Sequence, residues 1–217
     1  MLGALGLHPF FVSQTDAELG YRLQQALRAH DRLVAVGEIG LDFWDGRADA
    51  PRQHEVFAVQ LEVARALGLP VILHNRRSWG DFFAVLREQR VSALSGVCHC
   101  FNGSREIARA VLDLGLLVSF AGPLTYPNAR RLREAAAYVP LDRLLTETDC
   151  PDLPARQAGP GPSLPSHVRF VLEAIAEVKG LPLPDVVAQV EANYRRLLLP
   201  AGGRQVMERR PTSTISG

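Results

Sequence analysis

The stretch L-V-A-V-G-E, Leu33–Glu38, is a short apolar run that ends in a carboxylate. Such a run is typical of a buried strand, where a carboxylate is costly unless it is paired or bound to a metal. Four further runs end in His8, His74, His99 and Asp149. In a parallel β/α barrel, the groups that follow the strands converge on one mouth. The five residues therefore predict a divalent-metal site at the C-terminal ends of parallel strands.

Helical patterns separate these runs, and this alternation is typical of an α/β fold with parallel strands. Helical apolar spacing occurs at Thr15–Ala29, between Pro51 and Gly68, at Asp81–Gln89, from Ser104 to Leu114, and at Asn128–Tyr138, Ser166–Lys179 and Pro184–Leu198. Ser104 is a predicted helix N-cap, and either Ser13 or Thr15 is another.

A sixth strand is predicted at Leu116–Phe120, between the runs that precede His99 and Asp149. A closed barrel has eight strands. The pattern therefore predicts a TIM-like (β/α) barrel that is incomplete at its N-terminus, with about six of the eight parallel strands. We expect residues 1–199 to form this domain and residues 200–217 to be a disordered tail, because the tail has no periodicity.

The composition is that of an ordinary globular domain. Of 217 residues, 47% are hydrophobic and 22% are charged, which argues against a disordered chain. No segment approaches the roughly 20 apolar residues of a membrane span, so no membrane partner is expected. The net charge of +1 gives no overall attraction for nucleic acid, so any phosphate-binding surface must be local. Three cysteines cannot all pair internally, which favours a reducing, cytoplasmic location.

Five motifs surround the predicted site residues. They are G-L-H-P at 6–9, G-E-I-G-L-D at 37–42, L-P-V-I-L-H-N-R at 69–76, H-C-F-N-G-S at 99–104 and T-E-T-D-C-P at 146–151. In this order and spacing they resemble the signatures of TatD-type metal-dependent hydrolases, deoxyribonuclease-like members of the amidohydrolase superfamily. The resemblance covers residues 1 to about 198. It implies that Glu38 bridges two metals, that His74 and His99 complete the second metal site, and that Asp149 serves the first.

The sequence departs from the family pattern in two places. The family's opening H-x-H motif, which supplies the other ligands of the first metal, does not occur in this chain. We therefore expect one divalent ion, Zn, Mg or Mn, to bind well and a second to bind weakly. The family also has an Asn two residues before a Pro in the loop after Asp149, where this chain has Ser163-Leu164-Pro165. Because of this change, the family pattern does not predict how the loop is anchored in this chain.

Three further residues are predicted to support the site. Arg76 follows His74 by two residues and so points the same way along a strand, where a guanidinium suits a phosphate oxygen. Its alternative role is a salt bridge. By the same spacing, Glu147 is the predicted hydrogen-bonded partner of a ligand beside Asp149. Asp42 is predicted to hold a ligand histidine in its correct tautomer.

Glu38 and Asp149 are the predicted catalytic residues, and His8 is a predicted substrate contact. The predicted reaction is hydrolysis of a phosphodiester by a metal-activated water, because a divalent ion lowers the pKa of bound water toward neutrality. The resemblance implies that the substrate is nucleic acid, attacked at the 3′ end of DNA. Two alternatives stay open: hydrolysis of a carboxylic ester or amide, and a truncated, non-catalytic protein that binds a metal or a partner.

Overall fold

The computed structural model describes residues 1–90 and 95–199. It contains a single six-stranded sheet in which the strands lie in the same order as along the chain. The strands are β1 (Gly3–Leu5), β2 (Leu33–Asp42), β3 (Val71–Arg76), β4 (Gly96–Cys98), β5 (Leu117–Phe120) and β6 (Leu144–Thr146). Every neighbouring pair is parallel, which confirms the predicted fold class. The predicted tail at 200–217 lies outside the described residues.

Seven α-helices connect or follow these strands in the described ranges. They are α1 (Leu19–Ala29), α2 (Ala50–Leu67), α3 (Trp79–Glu88), α4 (Arg105–Asp113), α5 (Arg130–Tyr138), α6 (Val168–Lys179) and α7 (Leu183–Leu198). None of them combines the length and apolarity that a membrane span requires.

The helix caps were predicted with mixed success. Ser104 caps α4 as predicted, because its side chain accepts the Ile107 N–H. The prediction of Ser13 or Thr15 as the cap of α1 was wrong. Residues Pro9–Gln14 form a 3-10 helix instead, and α1 begins only at Leu19.

Strand residues alternate between two apolar clusters, as the two-residue period of a strand requires. The larger cluster packs against the helices and includes Val71, Leu73, Cys98, Val118 and Leu144. The smaller cluster lies on the other face of the sheet and is covered by Leu197 and Tyr194 of α7. Its strand members are Ile72, Val97, Leu117 and Leu145.

This alternation places the predicted site residues on the face of the smaller cluster. His74 follows Ile72 by two residues, and His99 follows Val97 by two. Because the strands are parallel, both histidines emerge from that face at the C-terminal edge of the sheet. The close approach of β2 to β3 at this edge depends on Gly40, where a Cβ would lie 2.0 Å from the His74 carbonyl oxygen.

Candidate active site

The strands that carry Glu38 and His74 continue beyond these residues. β2 runs four residues past Glu38 to Asp42, and β3 runs two residues past His74 to Arg76. The prediction that Glu38 and His74 end their strands was therefore wrong. The reason is that Gly40 pairs with His74 and Asp42 with Arg76, so the ladder continues through the polar residues.

The Glu38 carboxylate lies at the centre of the site. Its Oε2 atom is 3.2 Å from His99 Nε2, 3.9 Å from His74 Nδ1 and 4.0 Å from His8 Nε2. Burial disfavours a charge on Glu38, but His99 and His74 outweigh this effect and lower the pKa of its carboxyl. Glu38 is thus an anion that faces three imidazoles from three different strand ends.

His74 and His99 each bind a carboxylate on the side away from Glu38. His74 Nε2 lies 2.9 Å from Asp42 Oδ2, and His99 Nδ1 lies 3.0 Å from Glu147 Oε2. A carboxylate only accepts, so these nitrogens carry the protons in the neutral rings. The other nitrogen of each ring therefore presents its lone pair toward Glu38. This is the arrangement in which a histidine ligates a metal while a carboxylate fixes its tautomer.

The carboxylates around His99 strongly favour its protonated form. Burial alone would lower the pKa of His99, but the hydrogen bonds with Glu147 and Glu38 outweigh it and raise the pKa to about 10. In the absence of a cation, His99 is therefore protonated at neutral pH. Glu147 also accepts the Cys100 N–H, and the pKa of its carboxyl is lowered although the group is buried.

His8 is oriented differently, because its protonated nitrogen and not its lone pair faces Glu38 in the neutral ring. Its Nδ1 accepts the Phe10 N–H at 3.2 Å, so in the neutral ring the proton sits on Nε2, which faces Glu38. Burial and the neighbouring His74 lower the pKa of His8 to about 4, so the ring is neutral at pH 7. His8 therefore directs an N–H donor at Glu38, whereas the neutral rings of His74 and His99 would direct lone pairs at it.

Asp149 joins the site from the loop after β6. One of its carboxylate oxygens lies within 4.8 Å of a ligand atom of Glu38 and of His99. Burial raises the pKa of Asp149 above its usual range. The loop is anchored by the buried Ser163, whose hydroxyl donates to the Thr148 carbonyl at 3.1 Å. The serine therefore holds the loop at the position where the family has asparagine.

These donors fit a divalent cation. Two groups of three converge, each within 4.8 Å: His8, Glu38 and His74 form one, and Glu38, His99 and Asp149 form the other. Glu38 belongs to both groups, whereas His74 and His99 belong to different ones. The resemblance, in contrast, assigns His74 and His99 to the same metal. Imidazole nitrogens and carboxylates are the donor set of Zn²⁺ and Mn²⁺ sites. Which ligands share a metal stays a prediction.

Arg76 lies at the rim of the site. Its guanidinium lies over the Trp44 ring, 3.8 Å from the ring centroid. Burial disfavours a charge on Asp42, but the hydrogen bond with His74 and, to a smaller extent, the charge of Arg76 outweigh it and lower the pKa of the Asp42 carboxyl. Asp42 Oδ1 accepts a hydrogen bond from the backbone N–H of Trp44 at 2.8 Å, and its Oδ2 binds His74. One carboxylate therefore joins His74 to this rim. The sequence predicted neither the role of Trp44 nor its link to His74 through Asp42.

Two buried glutamines of α2 were also missed, although they hold the ends of two strands. The Gln53 amide bonds both the N–H and the C=O of Asp42, at 2.8 and 2.9 Å. The Gln60 amide does the same for Leu7, the residue before His8, at 2.6 and 3.1 Å. The two side chains are seven residues apart and so lie on one helix face. That spacing of amides among apolar residues is the signal that could have found them.

The chain matches a known family over nearly all its described residues. The family model described as TatD related DNase covers residues 1–199. The metal-dependent hydrolase YcfH of Escherichia coli K12 is 41% identical over 192 residues, which are 88% of this chain and 71% of that protein. A Pantoea ananatis protein named 3′-5′ ssDNA/RNA exonuclease TatD is 35% identical over 199 residues, with coverage of 88% and 75%.

A solved structure shows the same arrangement of strands and helices. The crystal structure of YjjV, a TatD homologue from Escherichia coli K12, superposes with a TM-score of 0.85 at 33% sequence identity. The match covers 91% of this chain and 76% of that one. The fold, the family model and the relatives agree, and the chain belongs to the TatD family of metal-dependent hydrolases.

Proposed function

We propose that this protein is a metal-dependent phosphodiesterase that removes nucleotides from the 3′ end of DNA. The observation that carries the proposal is the convergence of three imidazoles and the Asp149 carboxylate on Glu38. The Pantoea ananatis relative, named as an exonuclease on single-stranded DNA and RNA, supports nucleic acid as the substrate. In this proposal, the site belongs to one domain at residues 1–199.

Glu38, His74 and His99 would hold a divalent cation, and Glu38 together with Asp149 would hold a second one weakly. A bound cation supplies Lewis-acid activation of water and stabilises charge on the leaving oxygen. Asp42 and Glu147 keep the two imidazoles in the tautomers that ligation needs.

Asp149 and His8 are proposed to act on the substrate and the attacking water. A carboxylate with a raised pKa is a better proton acceptor than an ordinary aspartate, so Asp149 takes the proton from the water. His8 donates from Nε2 to a phosphate oxygen, because its other nitrogen is held by the Phe10 N–H. Arg76 contacts a substrate phosphate from the rim.

The test is the Asp149→Asn variant, assayed with Mn²⁺ on a short single-stranded oligonucleotide. General-base catalysis typically contributes about 10²–10⁴-fold, so we expect a loss of that size in kcat. Asp152→Asn, which removes an exposed carboxylate from the same loop, is the matched control and should keep wild-type activity.

An Asp149→Asn variant within about twofold of the wild type would refute the role of this residue. If the wild-type chain leaves every phosphodiester intact but cleaves carboxylic esters or amides, the proposed substrate class is wrong. A chain that binds a cation and hydrolyses none of these bonds would be a binding protein.

A further inference from the structure

The rim of the site carries two guanidinium groups on a single indole ring. Arg76 Cζ lies 3.8 Å and Arg77 Cζ lies 4.0 Å from the Trp44 ring centroid. Within the described residues, no carboxylate lies within 4.0 Å of either guanidinium, whereas the nearby Arg47 pairs with Asp81 at 2.7 Å. An arginine stacked by its face keeps its N–H edge free to bind a planar anion or a phosphate.

The backbone brings the two arginines together. Consecutive residues of a strand point to opposite faces, so Arg76 and Arg77 would diverge if β3 continued. β3 ends at Arg76, and Arg77 has a φ of 58°, in the left-handed region that residues other than glycine rarely adopt. This turn places both side chains on Trp44. Unusual backbone of this kind concentrates at ligand-binding sites.

The cluster of Trp44, Arg76 and Arg77, here named the rim cluster, is connected to the metal site but separate from it. One oxygen of Asp42 accepts a hydrogen bond from the Trp44 backbone N–H, and the other accepts one from His74 Nε2. The opposite nitrogen of His74 faces Glu38. The rim cluster is thus linked to Glu38 through Asp42 and His74, and neither guanidinium lies within 4.0 Å of Glu38. We therefore assign the rim cluster to a phosphate other than the one that undergoes cleavage.

We propose that the rim cluster binds the phosphate next to the scissile one, so that the enzyme selects substrates with at least two phosphates. This inference rests on the proposed phosphodiesterase function. The chain has a net charge of only +1, so a local pair of guanidiniums is the means by which it can favour a polyanion. Trp44, with 47% of its surface exposed, positions both guanidiniums.

The test compares the dinucleotide TpT, which has one phosphodiester, with TpT that carries an extra phosphate at its 5′ or its 3′ end. For the Mn²⁺-loaded wild type, we expect kcat/KM to be about five- to tenfold higher with one of the two phosphorylated forms, as for a charge-assisted contact at a partly exposed site. Arg77→Gln and Trp44→Leu should reduce this ratio to near one. Arg28→Gln removes an exposed arginine at the far end of α1 and should keep the wild-type ratio.

Trp44 also provides a readout that does not depend on hydrolysis. The chain has two tryptophans, so Trp79→Phe leaves Trp44 as the only indole fluorophore. The phosphorylated dinucleotide should change its fluorescence at a several-fold lower concentration than TpT. If this difference in affinity occurs without any hydrolysis, the proposed function is refuted, and the rim cluster keeps only its role as a phosphate-binding site. Equal titrations, or a substrate ratio that Arg77→Gln leaves intact, would overturn the inference.

Discussion

At the scale of single residues, the site is organised by carboxylates that do not face its centre. Asp42 and Glu147 each bind the outer nitrogen of one histidine, and so determine which nitrogen points inward. His8 lacks such a partner in the described structure and binds the Phe10 N–H instead. The three histidines around Glu38 therefore differ in chemistry: His74 and His99 can direct a lone pair inward when their rings are neutral, whereas His8 directs an N–H inward.

Replacement of Asp42 by asparagine should weaken cation binding while the fold is kept. The amide oxygen of Asp42→Asn can still accept a hydrogen bond from the Trp44 backbone N–H. Its NH₂ group, however, cannot accept a hydrogen bond from His74 Nε2. Loss of such a partner typically costs about 10–100-fold in metal affinity. Titration with Mn²⁺ measures the change, and Asp45→Asn, an exposed neighbour, is the control. Unchanged affinity would show that His74 is not a ligand.

At the scale of secondary-structure elements, α2 fixes the ends of β1 and β2 through two side-chain amides. Gln53 satisfies both backbone groups of Asp42, and Gln60 satisfies both groups of Leu7. The bonded residues lie two positions before Trp44 and one position before His8, so α2 helps to set the positions of the rim and of the donor imidazole. The helix thus contributes to the site without placing a residue in it.

Gln53→Met should destabilise the protein more than Gln60→Met. Methionine matches the size of glutamine but cannot satisfy backbone groups, and each buried unsatisfied group costs about 1–3 kcal/mol. Asp42 is buried and Leu7 is partly exposed, so water can replace only the Gln60 contacts. We expect Gln53→Met to lower the free energy of unfolding by about 2–4 kcal/mol. Urea denaturation measures this free energy, and Gln25→Met, at an exposed position, is the control. Equal losses for Gln53→Met and Gln60→Met would contradict the argument.

Particular elements show what the sequence could and could not predict. The apolar runs located all six strands and the residues His8, Glu38, His74 and His99, because strand burial and a polar residue are both visible locally. The extension of β2 past Glu38 was missed, because it depends on pairing with β3. The Trp44 contacts depend on the φ of Arg77, and the tautomer of His8 depends on a backbone N–H. No local pattern reports such tertiary geometry.

At the scale of the whole molecule, the site joins segments that are far apart in the chain. Glu38, His74, His99 and Asp149 come from four different strands or the loops that follow them. A cation bound to them links these segments only in the folded state. Binding should therefore add directly to the stability of the fold.

Mn²⁺ at about 100 times its dissociation constant should stabilise the protein by about 2.7 kcal/mol, or about 5–10 °C in Tm. Glu38→Gln should abolish this shift, because Glu38 belongs to both groups of ligands, and the exposed Glu62→Gln should keep it. The shift should also grow between pH 6 and pH 8. The cation must displace the proton that Glu147 and Glu38 hold on His99, whose pKa is raised to about 10, and this displacement is easier at higher pH.

The sign of this pH dependence separates imidazole ligation from a purely carboxylate site. In the cation-free protein, the protonated His99 contributes stability that is fully present below about pH 6.5 and is lost as the pH rises toward about 10. The cation-bound protein has no such proton to lose, so the difference in Tm between the two forms widens as the pH increases. Carboxylates are already ionised at pH 6, so a site made of them alone would give the same shift at both pH values. Differential scanning fluorimetry with Mn²⁺ or EDTA at each pH measures it, and a constant shift would exclude His99 as a ligand.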